Sequence, residues 1–323
     1  YYPRVDQANT RDLQFLVSDG QTFVHEEQRD LRHDIHLLDD GVPGYRLVNT
    51  DPAGRYCLVK RIVTDPEADA LVMRVTFEVR AGRAEDYALY LLLNPQLKGQ
   101  GWNNFARVVE TDGQPVLLAW REDVALALVT SAPVAKASCG FVGVSDGWQD
   151  LHDNFQTDWT FPAADDGNVA LMAQLLPPFA GDDGGFTVVV GFGATVEAAI
   201  ATALATLAKP YAELEAAYVA GWQTYLQALA LDRLAAGSAD EANLSRMSAV
   251  VLAAHEDKTH PGAHVASLSV PWGERVPAMD VEGYHLVWPR DLYHIGTARL
   301  TLGDAAAARR ALAYLATTQR ADG

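Results

Sequence analysis

The stretch Gly283 to Asp291 reads Gly-Tyr-His-Leu-Val-Trp-Pro-Arg-Asp and sets two aromatic rings, an arginine and an aspartate directly ahead of a helical pattern. Pro289 fixes the backbone at the entry to that helix. An apolar wall beside a charged fork suits a sugar ring, whose C–H faces lie against Trp or Tyr while its hydroxyl rim needs fixed donors and acceptors. On that reading Tyr284 and Trp288 supply the wall and Asp291 accepts from hydroxyls. Arg290 then donates to the sugar or holds the aspartate ionised. The same residues also fit a plain structural role, with Trp288 as a core anchor and Arg290 and Asp291 as an ion pair capping a helix start. Chemistry alone leaves both open.

Working outward, the flanking text is helical. Arg290 or Asp291 is expected to open a helix that Leu302-Gly303 closes. Asp304 then caps a last one with Ala308, Ala311, Leu312 and Leu315 inward. Upstream, Asp240 is expected to cap a helix with Leu244, Met247, Val251 and Leu252 inward, ending where Pro261 and Gly262 interrupt it. A strand-like segment, His264 to Val270, and a long Pro- and Gly-rich excursion, 271–283, lead to Tyr284. Loops of that length inside compact domains are usually functional. Earlier still, Thr195 caps a helix with the stripe Val196, Ile200, Ala203, Leu204 and Leu207, which Pro210 ends. A second helix carries Leu214, Tyr218, Trp222, Tyr225, Leu226 and Leu229.

Before Gly193 the period is different. Short β-branched and aromatic runs recur between Gly, Pro, Asn and Asp: 13–17, 55–63, 71–79, 87–93 and 186–192. Asp19-Gly20 and Asp112-Gly113 suit tight hairpins, because glycine accepts positive φ. Many strands with hairpin signals predict a large antiparallel β-sandwich. Within it, Asp165-Asp166-Gly167 and Asp182-Asp183-Gly184-Gly185 have the carboxylates of a calcium site but no ordered ligand spacing, and are read as turns. No metal or cofactor is predicted. Trp120, Trp148 and Trp159 are read as inter-sheet core rather than a sugar platform, and the mixed charges of 25–34 as a solvated edge or loop.

Composition bounds the function. The chain has 323 residues, 49% of them hydrophobic, enough for a large core and about two domains. A net charge of −17 argues against nucleic-acid phosphates and anionic membrane surfaces as partners, while neutral polyhydroxylated substrates remain compatible. Cys57 and Cys139 allow one disulfide at most and are read as buried thiols. No apolar run reaches a membrane-spanning length. The chain opens at Tyr1 with no basic-then-apolar leader, so the compartment is not read from this end.

The run from Ala253 to Asp291, with Ala-His-Glu-Asp-Lys-Thr-His-Pro-Gly-Ala-His followed by Tyr284, Trp288, Arg290 and Asp291, resembles the start of the catalytic domain of glycoside hydrolase family 15. These are the glucoamylases and bacterial glucodextranases. Residues 1–20 and the segment Val142 to Leu151 resemble the β-rich domain that bacterial members carry ahead of it. The resemblance implies a β then α multidomain chain: a β-sandwich over 1–192, a helical linker over 193–236, and the first part of an (α/α)6 barrel over 237–323. About three helices of that barrel lie within the chain. It also implies an exo-acting, inverting hydrolase that releases glucose from the non-reducing ends of α-glucans. Tyr284, Trp288, Arg290 and Asp291 would be the subsite for the terminal glucose. The family's two catalytic glutamates lie on later barrel segments, so no catalytic acid or base is nominated. Glu274, Asp280 and Glu282 near the motif read as exposed loop carboxylates. An α-glucan oligosaccharide or polysaccharide is the expected partner. An α-1,6 glucodextranase, a trehalase-like hydrolase and a non-catalytic carbohydrate-binding protein stay open as alternatives.

Overall fold

The computed structural model describes residues 9–177, 184–268 and 285–322. Among them the strands run in chain order as β1 Asp12–Ser18, β2 Val24–Glu26, β3 Arg32–Leu37, β4 Tyr45–Thr50, β5 Tyr56–Thr64, β6 Ala70–Val79 and β7 Ala88–Asn94. They continue as β8 Asn104–Thr111, β9 Gln114–Arg121, β10 Val124–Thr130, β11 Val134–Phe141, β12 Ala163–Gly167, β13 Val169–Leu175 and β14 Gly185–Gly193. All ladders are antiparallel, in a five-stranded sheet ordered β11-β13-β7-β1-β2 and a nine-stranded sheet ordered β12-β8-β9-β10-β14-β6-β5-β4-β3. The five apolar runs read as strands correspond to β1, β5, β6, β7 and β14. Asp112 and Gly113, with φ of 53° and 76°, turn β8 into β9 as a tight hairpin.

Phe15, Tyr56, Leu58, Leu91, Leu126, Phe186 and Val188 interdigitate between the sheets. The outer faces are covered too over the central strands, which explains why β10 and β14 show no polar alternation. Helix α1 (Glu27–Asp30) is a single turn at the edge, and α2 (Gly147–Asn154) lies over the five-stranded sheet, packing Leu151 and Trp148 on Leu16, Tyr90 and Met172. The nine-stranded sheet is covered by α3 (Val196–Leu207) and α4 (Tyr211–Gln227), which bury Ala199, Ala203 and Leu214 on Val72, Val129 and Val189. Thr195 caps α3 by accepting from Ala198 N at 3.2 Å, as expected. The contact is backbone-close: a Cβ at Gly191 would meet Ala203 N at 2.5 Å, and one at Gly193 would meet Ala199 N at 2.6 Å. Ion pairs pin the same layer, Arg61 to Glu215 at 2.6 Å and Lys209 to Asp65 at 2.8 Å.

After α4 come α5 (Leu231–Ala235), α6 (Asn243–Ala254), α7 (Pro289–Thr301) and α8 (Ala305–Thr318). No helix among the described residues is long and apolar enough to cross a membrane.

Several expectations are corrected. Asp240 does accept from Leu244 N at 2.9 Å, but α6 turns Ala249 and Val250 inward and leaves Leu244 72% and Val251 51% exposed. In α8, Ala307 and Ala311 are buried and Leu312 is 69% exposed. In both helices small residues make the close contact, so the bulky members of the stripe face away from the described chain. Residues 264–268 form no strand, only an isolated bridge between His264 and Glu256. Helix α7 begins at Pro289, one or two residues before the expected start, because proline at the first helical position lacks only an N–H that is unused there. Trp120 and Trp148 lie half-buried on the outer faces: Trp120 stacks on Phe105 at 5.7 Å and Trp148 donates to Glu26 at 2.5 Å. Trp159 sits 5.9 Å from Phe161. Within the charged segment 25–34, β3 is exposed but Glu27 is buried, paired with Lys60 and accepting from Phe15 N at 2.9 Å. Asp165 and Asp166, read as a turn, lie inside β12 where its register with β8 shifts: Asp165 pairs with Arg107, and Asp166, at φ 59°, accepts from Asn103 at 2.9 Å. Asp182 and Asp183 lie outside the described residues. Cys57 and Cys139 are free, buried and on different sheets; burial pushes the Cys139 thiol up to about 12.

Candidate functional site: the arm ahead of α7

Trp288 is the N-cap residue of α7, in extended backbone and without a side-chain cap bond. Arg290 and Asp291 therefore fall in the first turn, where the helix's free N–H groups favour a carboxylate. The Arg290 guanidinium sits 5.8 Å from the centre of the Trp288 ring, and its Nη2 lies 3.3 Å from Asp291 Oδ2. Their side chains are 73% and 35% exposed, so the pair adds little to stability and is open to exchange its contacts for a ligand's. Leu292, the next residue, is the one that packs inward. The structure thus brings Trp288, Arg290 and Asp291 together. Tyr284 lies outside the described residues, as do Glu274, Asp280 and Glu282. Four clefts of about 310, 380, 380 and 410 Å³ among the described residues are lined by other groups.

Beneath the arm is a polar cluster that the sequence pattern did not single out. Arg299, on the buried stripe of α7, is 1% exposed. Its Nη1 donates to Tyr225 Oη on α4 at 2.5 Å and to Asp304 Oδ2 at 2.9 Å. Its Nη2 lies 3.4 Å from His264 Nε2 and 3.7 Å from Glu256 Oε2. Glu256, just past α6, takes a two-pronged bond from Arg310 of α8 at 2.7 and 2.8 Å and accepts from Gly262 N at 3.0 Å. His264 Nδ1 donates to Gly262 O at 3.0 Å, which leaves Nε2 as the acceptor facing Arg299. Gly262 is required here: its φ is +90°, and a Cβ would meet Arg310 O at 2.1 Å.

The charges follow from this packing. Burial pushes the His264 imidazole below its ordinary value, and the neighbouring Arg299 and Arg310 add to that against the pull of Glu256. Burial works to raise the Glu256 carboxyl, but the Arg310 fork outweighs it and holds the group below the usual range. Burial pushes Tyr225 up. The cluster is therefore a neutral histidine, two carboxylates and two guanidiniums around a phenol. Its one sequence signal is an arginine at an otherwise apolar helix position; its partner His264 is 35 residues away in the chain.

Across the whole of this chain, a curated glucoamylase from Clostridium sp. (strain G0005) is 36% identical, and the chain spans 45% of that relative's length. A crystal structure of a bacterial glucoamylase complexed with acarbose superposes with a TM-score of 0.88 at 36% identity, covering 98% of this chain and 46% of the other. A GH92 family glycosyl hydrolase, 13% identical, matches at a TM-score of 0.50 over 78% of this chain and 34% of its own, a likeness of fold alone. A broad antiparallel sandwich roofed by helices and followed by further helices is the architecture this chain shares with that bacterial glucoamylase. The chain belongs to the family of the glucodextranase N domain, whose model matches residues 1–227.

Proposed function

We propose that the protein of which this chain spans the amino-terminal part is an exo-acting α-glucoside hydrolase of the glucoamylase type, releasing glucose from non-reducing ends with inversion. What carries the reading is the 36% identity to a curated glucoamylase over all 323 residues, sandwich and arm alike. Trp288, Arg290 and Asp291 are then the described part of a clamp for the terminal glucose. The ring packs on a sugar face, Asp291 accepts from hydroxyls, and Arg290 donates. The acarbose bound by the superposed bacterial glucoamylase is an oligosaccharide of the kind such a clamp would hold.

Inversion needs an acid for the leaving oxygen and a base for a water on the opposite face, roughly 6.5–9.5 Å apart. Neither is assigned here; both are expected on barrel segments beyond Gly323, so this chain alone is expected to be inactive. The test is to follow the first product of the full-length protein on maltotriose by NMR. β-Glucose is expected, α-glucose would refute inversion, and no release from any α-glucan would refute the enzyme. The match to the glucodextranase N domain favours a second reading, in which the substrate is α-1,6-linked. Comparing maltotriose with isomaltotriose decides between the two.

A further inference from the structure

A buried guanidinium is costly unless every donor is placed, so Arg299 asks for a reason beyond filling space. It stands eight residues, about 12 Å along the helix axis, from Asp291 on the same helix. Its Nη2 partner, His264, heads the segment whose Ala266 N donates to Leu286 O at 3.1 Å, two residues before Trp288. One cluster therefore grips the arm twice. It holds the chain entering Trp288 through His264 and Ala266, and the body of α7 through Arg299. Leu292, buried between the two grips, bonds back from its N–H to Trp288 O at 2.9 Å and passes that alignment to the arm.

We propose that His264, Glu256 and Arg299 are positioning residues for the arm: they set the direction of Trp288, Arg290 and Asp291 and so tune sugar binding without touching the sugar. The proposal rests on the reading of that arm as a terminal-glucose clamp. It also makes the clamp sensitive to acid. The groups facing His264 are Glu256 at the end of α6, Arg299 of α7, Arg310 of α8 and the Gly262 carbonyl; Tyr225 of α4 and Asp304 close the shell around Arg299. A proton on Nε2 turns the acceptor that holds Arg299 into a donor, whose nearest acceptor is Glu256 Oε2 at 3.7 Å. The contact from His264 to α7 is then lost, leaving Arg299 held by Tyr225 and Asp304, while the turn around Gly262 stays.

The test uses the full-length protein with His264→Phe, which keeps the ring and removes both nitrogens, and His264→Gln, which restores an acceptor and a donor. Hydrogen exchange of 286–292 should rise in the Phe variant, with the sandwich strands unchanged. Its kcat/KM on maltotriose should fall by about a hundredfold through a displaced clamp, with KM rising, and the Gln variant should recover most of both. Beyond the acid limb that protonation of the catalytic base gives both proteins, wild-type activity should show an added fall in acid that the Gln variant lacks. Wild-type exchange and kinetics in the Phe variant would overturn the proposal. So would equal losses in both variants with exchange rising across the sandwich, which is what mere structural damage produces. If the wild type releases sugar from no α-glucan, the functional reading falls by itself, and exchange at 286–292 still decides whether the cluster holds the arm.

Discussion

Sandwich and trailing helices solve the same packing problem to different degrees. All seven residues of β10 are buried, because that strand lies between the other sheet and α3. Helices α6, α7 and α8, of 12, 13 and 14 residues, bury two residues each. Tyr293 and Leu300 on α7 are exposed alongside Leu244, Val251 and Leu312. The first region buries both faces of its central strands and leaves apolar groups such as Ile35 and Val144 exposed only at its margins; in the second, the helices themselves present apolar groups that the described residues leave uncovered. Bulk apolar surface of that kind marks a face meant for a partner surface, and on the proposed function the partner is the remainder of a helical barrel.

Substitutions in the two regions should differ in what they cost. Asp291→Ala in the full-length protein should have the largest effect, lowering kcat/KM on maltotriose by about a hundredfold or more, because the sugar hydroxyls lose their acceptor. Near-normal kinetics would dismiss the clamp and leave the helices with a purely structural role. Leu126→Ala, in the centre of the sandwich, should destabilise by about 2–5 kcal/mol in chemical denaturation. Gly191→Ala should cost about 1–3 kcal/mol, since its Cβ collides with the α3 backbone. Leu312→Ala should change the stability of this chain by no more than about 0.5 kcal/mol, yet cost about 2 kcal/mol or more in the full-length protein. Equal small effects in both would mean that nothing covers that face.

Acid should also separate the regions. His264 has its folded value lowered, so the stability it contributes is present above its ordinary value of 6.5 and is lost as pH falls below it, when the unfolded chain takes up the proton first. The depressed Glu256 extends the loss at lower pH, down through its folded value. A flat dependence of helical-segment exchange between pH 7 and 5 would contradict this.

The sandwich was legible because β-branched runs between turn residues report strands whatever covers them. Thus residues 186–192 read as a strand although α3 hides the second face. Helix α2 was missed: its eight residues, Gly-Trp-Gln-Asp-Leu-His-Asp-Asn, carry too few apolar groups for a period, and only the Asp146 cap announces it. The stripes of α6 and α8 were read correctly as apolar and wrongly as inward, since a period shows that a face seeks cover but not where the cover comes from. Trp288, Arg290 and Asp291 were legible because they are contiguous. Arg299 and His264 were not, because only the folded turn at Gly262 brings them together.

The seat of α3 on β14 has a practical corollary for anyone exchanging parts between relatives. With glycine at 191 and 193 and helix backbone within 2.6 Å of where side chains would begin, strand and helix behave as one casting rather than two parts bolted together. Arg61 and Asp65 extend that unit to Glu215 and Lys209. A chimera spliced at Thr195 would mate mismatched moulds, whereas one spliced after Gln227, where the family match also ends, transplants the joint intact.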